Sequence, residues 1–296
     1  MGAADVVPGL SGGTVAFITG IYDELLLAIR SIDPDAIKLL GKFRVSEFWE
    51  KINGNFLVCL FAGIVTSLLT VARGIIYLLK HQPVLTRSFF FGLVIIAALL
   101  VLREIKHWNV SIILAFLTGT GIAYGLTVLS PLQAPDAIWF IFLTGCLCVC
   151  TLVIPGVSAV FILVVLEKYS FFMNAFTNFN LPIIFVFAAG CIVGILGFAR
   201  FLSWMLTNYR NVTVALLAGF MLGSLNKVWP WREVLEYATN SRGEQIPAFD
   251  KSILPWHYFA TTGKDPQVFQ AILIIALGVF IVVLTEKIAV RLKTKI

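Results

Sequence analysis

Apolar runs of bilayer-crossing length recur along this chain with only short polar interruptions. They lie at about 56–79, 84–102, 109–129, 136–154, 180–206, 213–229 and 267–286. A helix needs roughly 20 apolar residues to cross the hydrocarbon core, so the pattern predicts an all-α polytopic membrane protein. Two stretches interrupt it. Asp5-Val6-Val7-Pro8-Gly9-Leu10-Ser11-Gly12-Gly13-Thr14 is rich in turn formers yet runs almost directly into the apolar segment from Val15 to Ile29. Val153-Ile154-Pro155-Gly156-Val157-Ser158 sits likewise between the run at 136–154 and an apolar continuation to Phe176. Irregular backbone cannot face lipid, because each unpaired N–H or C=O there costs several kcal/mol. Both stretches therefore predict broken, re-entrant helical hairpins, buried in protein or lining a wet cavity. An amphipathic link from Arg30 to Asn55 reads as interfacial. The polar loop 230–266, with Trp231 and Trp256, also suits a membrane interface.

The two breaks look like copies. Pro8, Gly9, Ser11, Tyr22 and Ala28 return as Pro155, Gly156, Ser158, Tyr169 and Ala175. Further on, a second constant offset relates Gly63 to Gly190, Ala72 to Ala199, Arg73 to Arg200, Thr86 to Thr213 and Gly92 to Gly219. A shorter second linker accounts for the change of offset. The expectation is one integral membrane domain over 1–296, made of repeat one at about 1–129 and repeat two at about 136–286. With the first hairpin on the cytoplasmic side, the count of spans places the second hairpin and the loop 230–266 outside and the C-terminus inside. Lys and Arg then number twelve inside and seven outside the spans, as the positive-inside rule requires. The repeats are accordingly expected to be inverted, with the hairpins meeting near the midplane.

Only 13% of residues are charged and 59% are apolar, whereas soluble domains carry about a quarter charged residues. Soluble architectures are thereby excluded. The net charge of +6 needs no nucleic acid partner, because basic residues gather at membrane ends. Cys59, Cys146, Cys148, Cys150 and Cys191 all lie in apolar runs without zinc or dithiol spacing, and His81, His107 and His257 fall in separate loops. No metal or cofactor is expected. The start lacks the basic region of a cleavable signal peptide, and whether native residues precede Met1 is left open.

Arg73 and Arg200 lie within spans, where a basic side chain costs at least about 2.5 kcal/mol. Inverted repeats would put Arg73 toward the outer side and Arg200 toward the inner side. A guanidinium fork suits two phosphate oxygens, while snorkelling to headgroups is the simpler alternative. In the breaks, Gly9, Gly12, Gly13 and Gly156 expose backbone N–H groups that favour an anion. Ser11, Thr14 and Ser158 could donate to it or could satisfy backbone groups freed by the break. Asp5 is a candidate for capping or proton coupling, and Glu167 for coupling or for marking a hairpin end. Lys227 reads as a snorkelling residue in preference to a substrate ligand.

The run Met1-Gly2-Ala3-Ala4-Asp5-Val6-Val7-Pro8-Gly9-Leu10-Ser11-Gly12-Gly13-Thr14-Val15-Ala16-Phe17 resembles the signature of the bacterial polyprenyl-phosphate transporter family, long known only as a domain of unknown function. Pro155-Gly156-Val157-Ser158 is similar to its second copy. The resemblance implies a flippase that moves undecaprenyl phosphate across the cytoplasmic membrane and so recycles the carrier for cell-wall synthesis. It implies no enzymatic activity. Membrane lipids and a coupling ion, proton or sodium, would be partners, with homo-oligomerisation left open. A small-anion channel or exchanger is the first alternative, and a polyprenyl pyrophosphate phosphatase the second.

Overall fold

The computed structural model describes residues 1–5, 7, 11–129, 134–135, 137–239 and 245–293. The first half contains α1 (Gly2–Asp5), α2 (Gly12–Ile18), α3 (Tyr22–Arg30), α4 (Pro34–Gly41), α5 (Val45–Lys51), α6 (Gly54–Leu69), α7 (Val71–His81), α8 (Pro83–Arg103) and α9 (Val110–Val128). The second contains α10 (Ile138–Val153), α11 (Ala159–Val165), α12 (Tyr169–Thr177), α13 (Leu181–Asn208) and α14 (Arg210–Val228). An antiparallel hairpin, β1 (Arg232–Thr239) and β2 (Gln245–Ser252), then leads to α15 (Pro255–Thr262) and α16 (Val268–Lys293).

Among the described residues, α8, α9, α13, α14 and α16 are each long and apolar enough to cross a membrane. The bent pairs α5–α6, at 70°, and α11–α12, at 110°, raise the count to seven if each is one span. Leu114 and Leu117 on α9, Phe185 and Ile192 on α13, and Leu273 and Phe280 on α16 are all exposed. An apolar surface of that extent is stable only against lipid. Local chemistry sets several boundaries. Asp33 caps α4 by accepting from the Ala36 N–H at 2.7 Å, and Asn109 caps α9 by accepting from the Ile112 N–H at 2.9 Å.

Two features differ from the sequence pattern. The apolar run at 56–79 is two helices, α6 and α7, divided at Thr70, whose hydroxyl bonds back to the Thr66 carbonyl at 2.7 Å. The backbone departs from helical geometry at that residue, with φ −107° and ψ −68°. The architecture is also not wholly helical, because the polar loop 230–266 holds the β-hairpin and α15. Composition alone gave no period to detect there.

The core forms where the halves interleave. α14 packs against both α8 and α9, α16 packs on α8, and α13 packs on α10 and α3. Gly92 on α8 abuts the Ile275 carbonyl of α16, and its counterpart Gly219 on α14 abuts the Phe116 carbonyl of α9. One buried cluster joins Ala4 and Val7 to α8, α9 and α14. A second joins Ala16, Tyr22, Leu25 and Leu26 of the first hairpin to Val153, Ala199, Leu202 and Leu217 of the second half. The first hairpin is thus seated in a pocket made by the other half of the chain.

Candidate functional site

The second break frees backbone groups, because Pro155 cannot continue α10 and Gly156 turns with φ +91°. Side chains of the first hairpin satisfy those groups. The Tyr22 hydroxyl donates to the Val153 carbonyl at 2.9 Å, and the Ser11 hydroxyl donates to the Ile154 carbonyl at 3.1 Å. The Gly156 N–H is shared between Thr14 Oγ1 at 3.0 Å and Ser11 Oγ at 3.2 Å. Ser11, Thr14, Gly156 and Tyr22 are all buried. Close approach is built in as well. A Cβ on Gly13 would meet the Val153 carbonyl oxygen at 2.9 Å, and one on Gly156 would meet Ser224 Oγ at 2.6 Å. The two broken stretches therefore interlock.

Within the first break, the Gly12 N–H at the start of α2 donates to Asp5 Oδ1 at 2.6 Å. The position where a helix start would attract an anion is filled by the protein's own carboxylate. On the other side of the crossing, Gly156, Ser158, Phe161, Thr127, Ser224 and Lys227 line a recess of about 10 Å³, room for about one water.

Lys227 connects this recess to a charged cluster beneath the β-hairpin. Its Nζ lies 4.9 Å from the centre of the Phe161 ring and 2.7 Å from Asp250 Oδ1. Arg232 donates to the same carboxylate from Nε at 2.6 Å and from a terminal nitrogen at 3.0 Å. Its remaining donors go to the carbonyls of Asn226 and Asp250 and to the Ser252 hydroxyl. Burial alone would push the Asp250 carboxyl up, but the hydrogen bonds and charge of Arg232 and then Lys227 hold it down at about 2. Arg87 approaches the same carboxylate only at 4.0 Å, with its side chain 21% exposed.

The other sequence-predicted residues are dispersed. Arg200 donates to the Ile32 carbonyl at 2.8 Å, next to the Arg30–Ser203 hydrogen bond of 3.0 Å that ties α3 to α13. Arg73 is exposed on α7. Ser158 is buried beside the recess, whereas Glu167 is exposed at the α11–α12 turn with φ 52°. Gly20, its counterpart in the first hairpin, also has positive φ, at 71°. Gly9 lies outside the described residues. Lys227 does not snorkel outward; its side chain is 12% exposed and paired with Asp250. Lys168, beside Glu167 in the same turn, is buried. Sequence reasoning missed the grouping of Arg87, Lys227, Arg232 and Asp250. The signal available was weak: Arg87 stands four residues inside an apolar helix, and Lys227 ends another.

Comparison with known proteins gives consistent results. A family model described as undecaprenyl phosphate translocase-like matches residues 1–246. A polyprenyl-phosphate transporter of Vibrio cholerae serotype O1 is 41% identical over 289 residues, covering 98% of this chain and 94% of the relative. A polyprenyl-phosphate transporter of Staphylococcus aureus is 27% identical over 249 residues, 78% of this chain and 83% of that one. No solved structure matches. A multi-pass helical architecture and a family match over most of the length converge: this chain belongs to the undecaprenyl phosphate translocase-like family.

Proposed function

We propose that this chain flips undecaprenyl phosphate across the bacterial cytoplasmic membrane, returning the lipid carrier for another round of cell-wall and surface polysaccharide synthesis. The observation that carries the reading is the interlock of the two breaks, Ser11 and Thr14 on Ile154 and Gly156, in a chain 41% identical to a polyprenyl-phosphate transporter. The physics favours such a cargo. A bare phosphate dianion in hydrocarbon is prohibitive, whereas the isoprenoid tail can remain in lipid throughout. The protein has only to shelter the head.

Inverted repeats would supply two mirrored routes to one crossing. The paired contacts at Gly92 and Gly219, and the matching left-handed turns at Gly20 and Glu167, support that symmetry. In this arrangement the β-hairpin end faces outward and the C-terminus lies in the cytoplasm. The recess of about 10 Å³ beside Gly156 and Ser158 is too small for a phosphate group, so in this reading the head enters there only after the breaks move apart. Passage requires the hairpins to separate, exposing the N–H groups around Gly12, Gly13 and Gly156 and the hydroxyls of Ser11, Thr14 and Ser158 to the head. Arg73 would meet the head in the outer leaflet and Arg200 would receive it toward the inner one. Protonation of the phosphate, whose second pKa is about 6, gives a monoanion that is cheaper to move and a route to proton coupling.

The test is reconstitution of the purified chain into vesicles containing a labelled polyprenyl phosphate. Movement of the phosphate head between leaflets, read with an impermeant reagent, should exceed that in protein-free vesicles. Equal rates with and without protein would refute the proposal, and flux of chloride without lipid phosphate would replace it with an anion channel.

A further inference from the structure

Arg87 is the unexplained cation in the structure. It lies in α8 with most of its side chain enclosed, yet among the described residues it makes no hydrogen bond, and its one ionic contact is Asp250 at 4.0 Å. A guanidinium carries five N–H donors in a fixed fork. None of its nitrogens is both fully buried and unpaired, so the fork can be reached from outside and is free to donate to an arriving acceptor. Arg232 shows the contrast. It is 1% exposed, and its donors are taken up by Asp250, Asn226 and Ser252.

The charge balance points the same way. Arg232 and Asp250 form a bidentate pair that cancels to zero, leaving Arg87 and Lys227 as two surplus cations on one carboxylate. Among the described residues, Asp250 is the one carboxylate that acts on either of them. A phosphate monoester carries about −1.5 to −2 at neutral pH, which two cations would match. Lys227 has used one of its three donors on Asp250 and borders the recess at Ser158 and Phe161. Ala123, Leu126 and Val157 make part of the lining of that recess apolar, so the surroundings of Lys227 favour an anion that arrives on an apolar tail over one that must shed its water.

We infer that Arg87 and Lys227 form a docking site for a phosphate monoester head carried on a lipid, at the β-hairpin end of the bundle, with Arg232 and Asp250 as its fixed base. The inference rests on the translocation reading and adds to it a place where the head is held at the β-hairpin end. Asp250 holds the two surplus cations near each other, and an arriving phosphate offers acceptors to the Arg87 fork.

The experiment uses the full chain in nanodiscs, with binding read by tryptophan fluorescence, since Trp229 and Trp231 pack beside the cluster. The probes are a short-chain polyprenyl phosphate, the corresponding uncharged polyprenol and inorganic phosphate. Arg87→Gln and Lys227→Gln should each weaken polyprenyl phosphate binding about tenfold or more and leave polyprenol unaffected. Arg87→Lys, which keeps the charge but loses the fork, should fall between. Thermal unfolding of Arg87→Gln should stay close to wild type, because no hydrogen bond is removed. Wild-type affinity in both Gln variants would overturn the inference while leaving translocation by the parent chain intact. Arg87-dependent binding of inorganic phosphate that the lipid does not compete away would overturn the lipid assignment. A parent chain that neither binds nor moves polyprenyl phosphate would instead refute the functional reading.

Discussion

The interlock can be measured with a double-mutant cycle on Ser11 and Thr14. The Gly156 N–H is shared between the two hydroxyls at 3.2 and 3.0 Å, and Ser11 also donates to the Ile154 carbonyl at 3.1 Å. Thr14→Val keeps the shape and leaves the N–H on Ser11, so it should cost about 1 kcal/mol. Ser11→Ala leaves the N–H on Thr14 but strips the Ile154 carbonyl of its donor, a cost of about 1–2 kcal/mol. The double variant leaves a buried N–H with no acceptor, which adds a desolvation penalty of about 1–3 kcal/mol absent from either single variant. The pair should therefore be more destabilising than the sum of the singles by about 1 kcal/mol or more. The assay is denaturant or thermal unfolding of the purified chain in one defined detergent. Strict additivity, or singles that are both neutral, would show that the hydroxyls do not hold the second break.

Other expectations follow from the same geometry. Gly156→Ala forces a side chain into a left-handed φ of +91° and to within 2.6 Å of Ser224 Oγ; unfolding measurements should show a loss of about 2 kcal/mol or more, with transport abolished in vesicles. Asp250→Asn should cost about 2 kcal/mol near pH 7, the value implied by a carboxyl lowered from 3.8 to about 2. Because the folded-state value is the lower one, that stabilisation is complete above about pH 4 and is lost as pH falls toward about 2; melting profiles between pH 5 and 8 should be flat with respect to this group. Arg200→Ala removes the bond to the Ile32 carbonyl and should slow head movement about tenfold in the vesicle assay, and Arg73→Ala should slow it with little change in unfolding.

Much of the fold is written locally. A run such as 213–229 is apolar over a span's length and can only be a membrane helix, and Pro155-Gly156 breaks a helix wherever it stands. Partnership across the chain is different in kind. The sequence left Ser11 and Thr14 open between holding a ligand and repairing freed backbone; only their placement against Ile154 and Gly156 shows that they repair backbone. The division of α6 from α7 at Thr70 falls inside one apolar run, which no hydropathy window registers. The cluster around Asp250 unites α8, the end of α14 and two strands, so no spacing rule could have assembled it. Arg87 was legible as a charge near a helix start, but its unfilled donors were not.

The proposed translocation depends on separation of the hairpins, and spin labels on Leu27 of α3 and Ser170 of α12, both exposed, report it most directly. The measurement is the distance distribution between the labels in a cysteine-free background, in nanodiscs, with and without polyprenyl phosphate. A single distance without lipid, joined on adding lipid by a second population displaced by about 5 Å or more, is the expected result. One unchanged distance under both conditions, in a preparation shown to move the phosphate head between leaflets, would contradict the account.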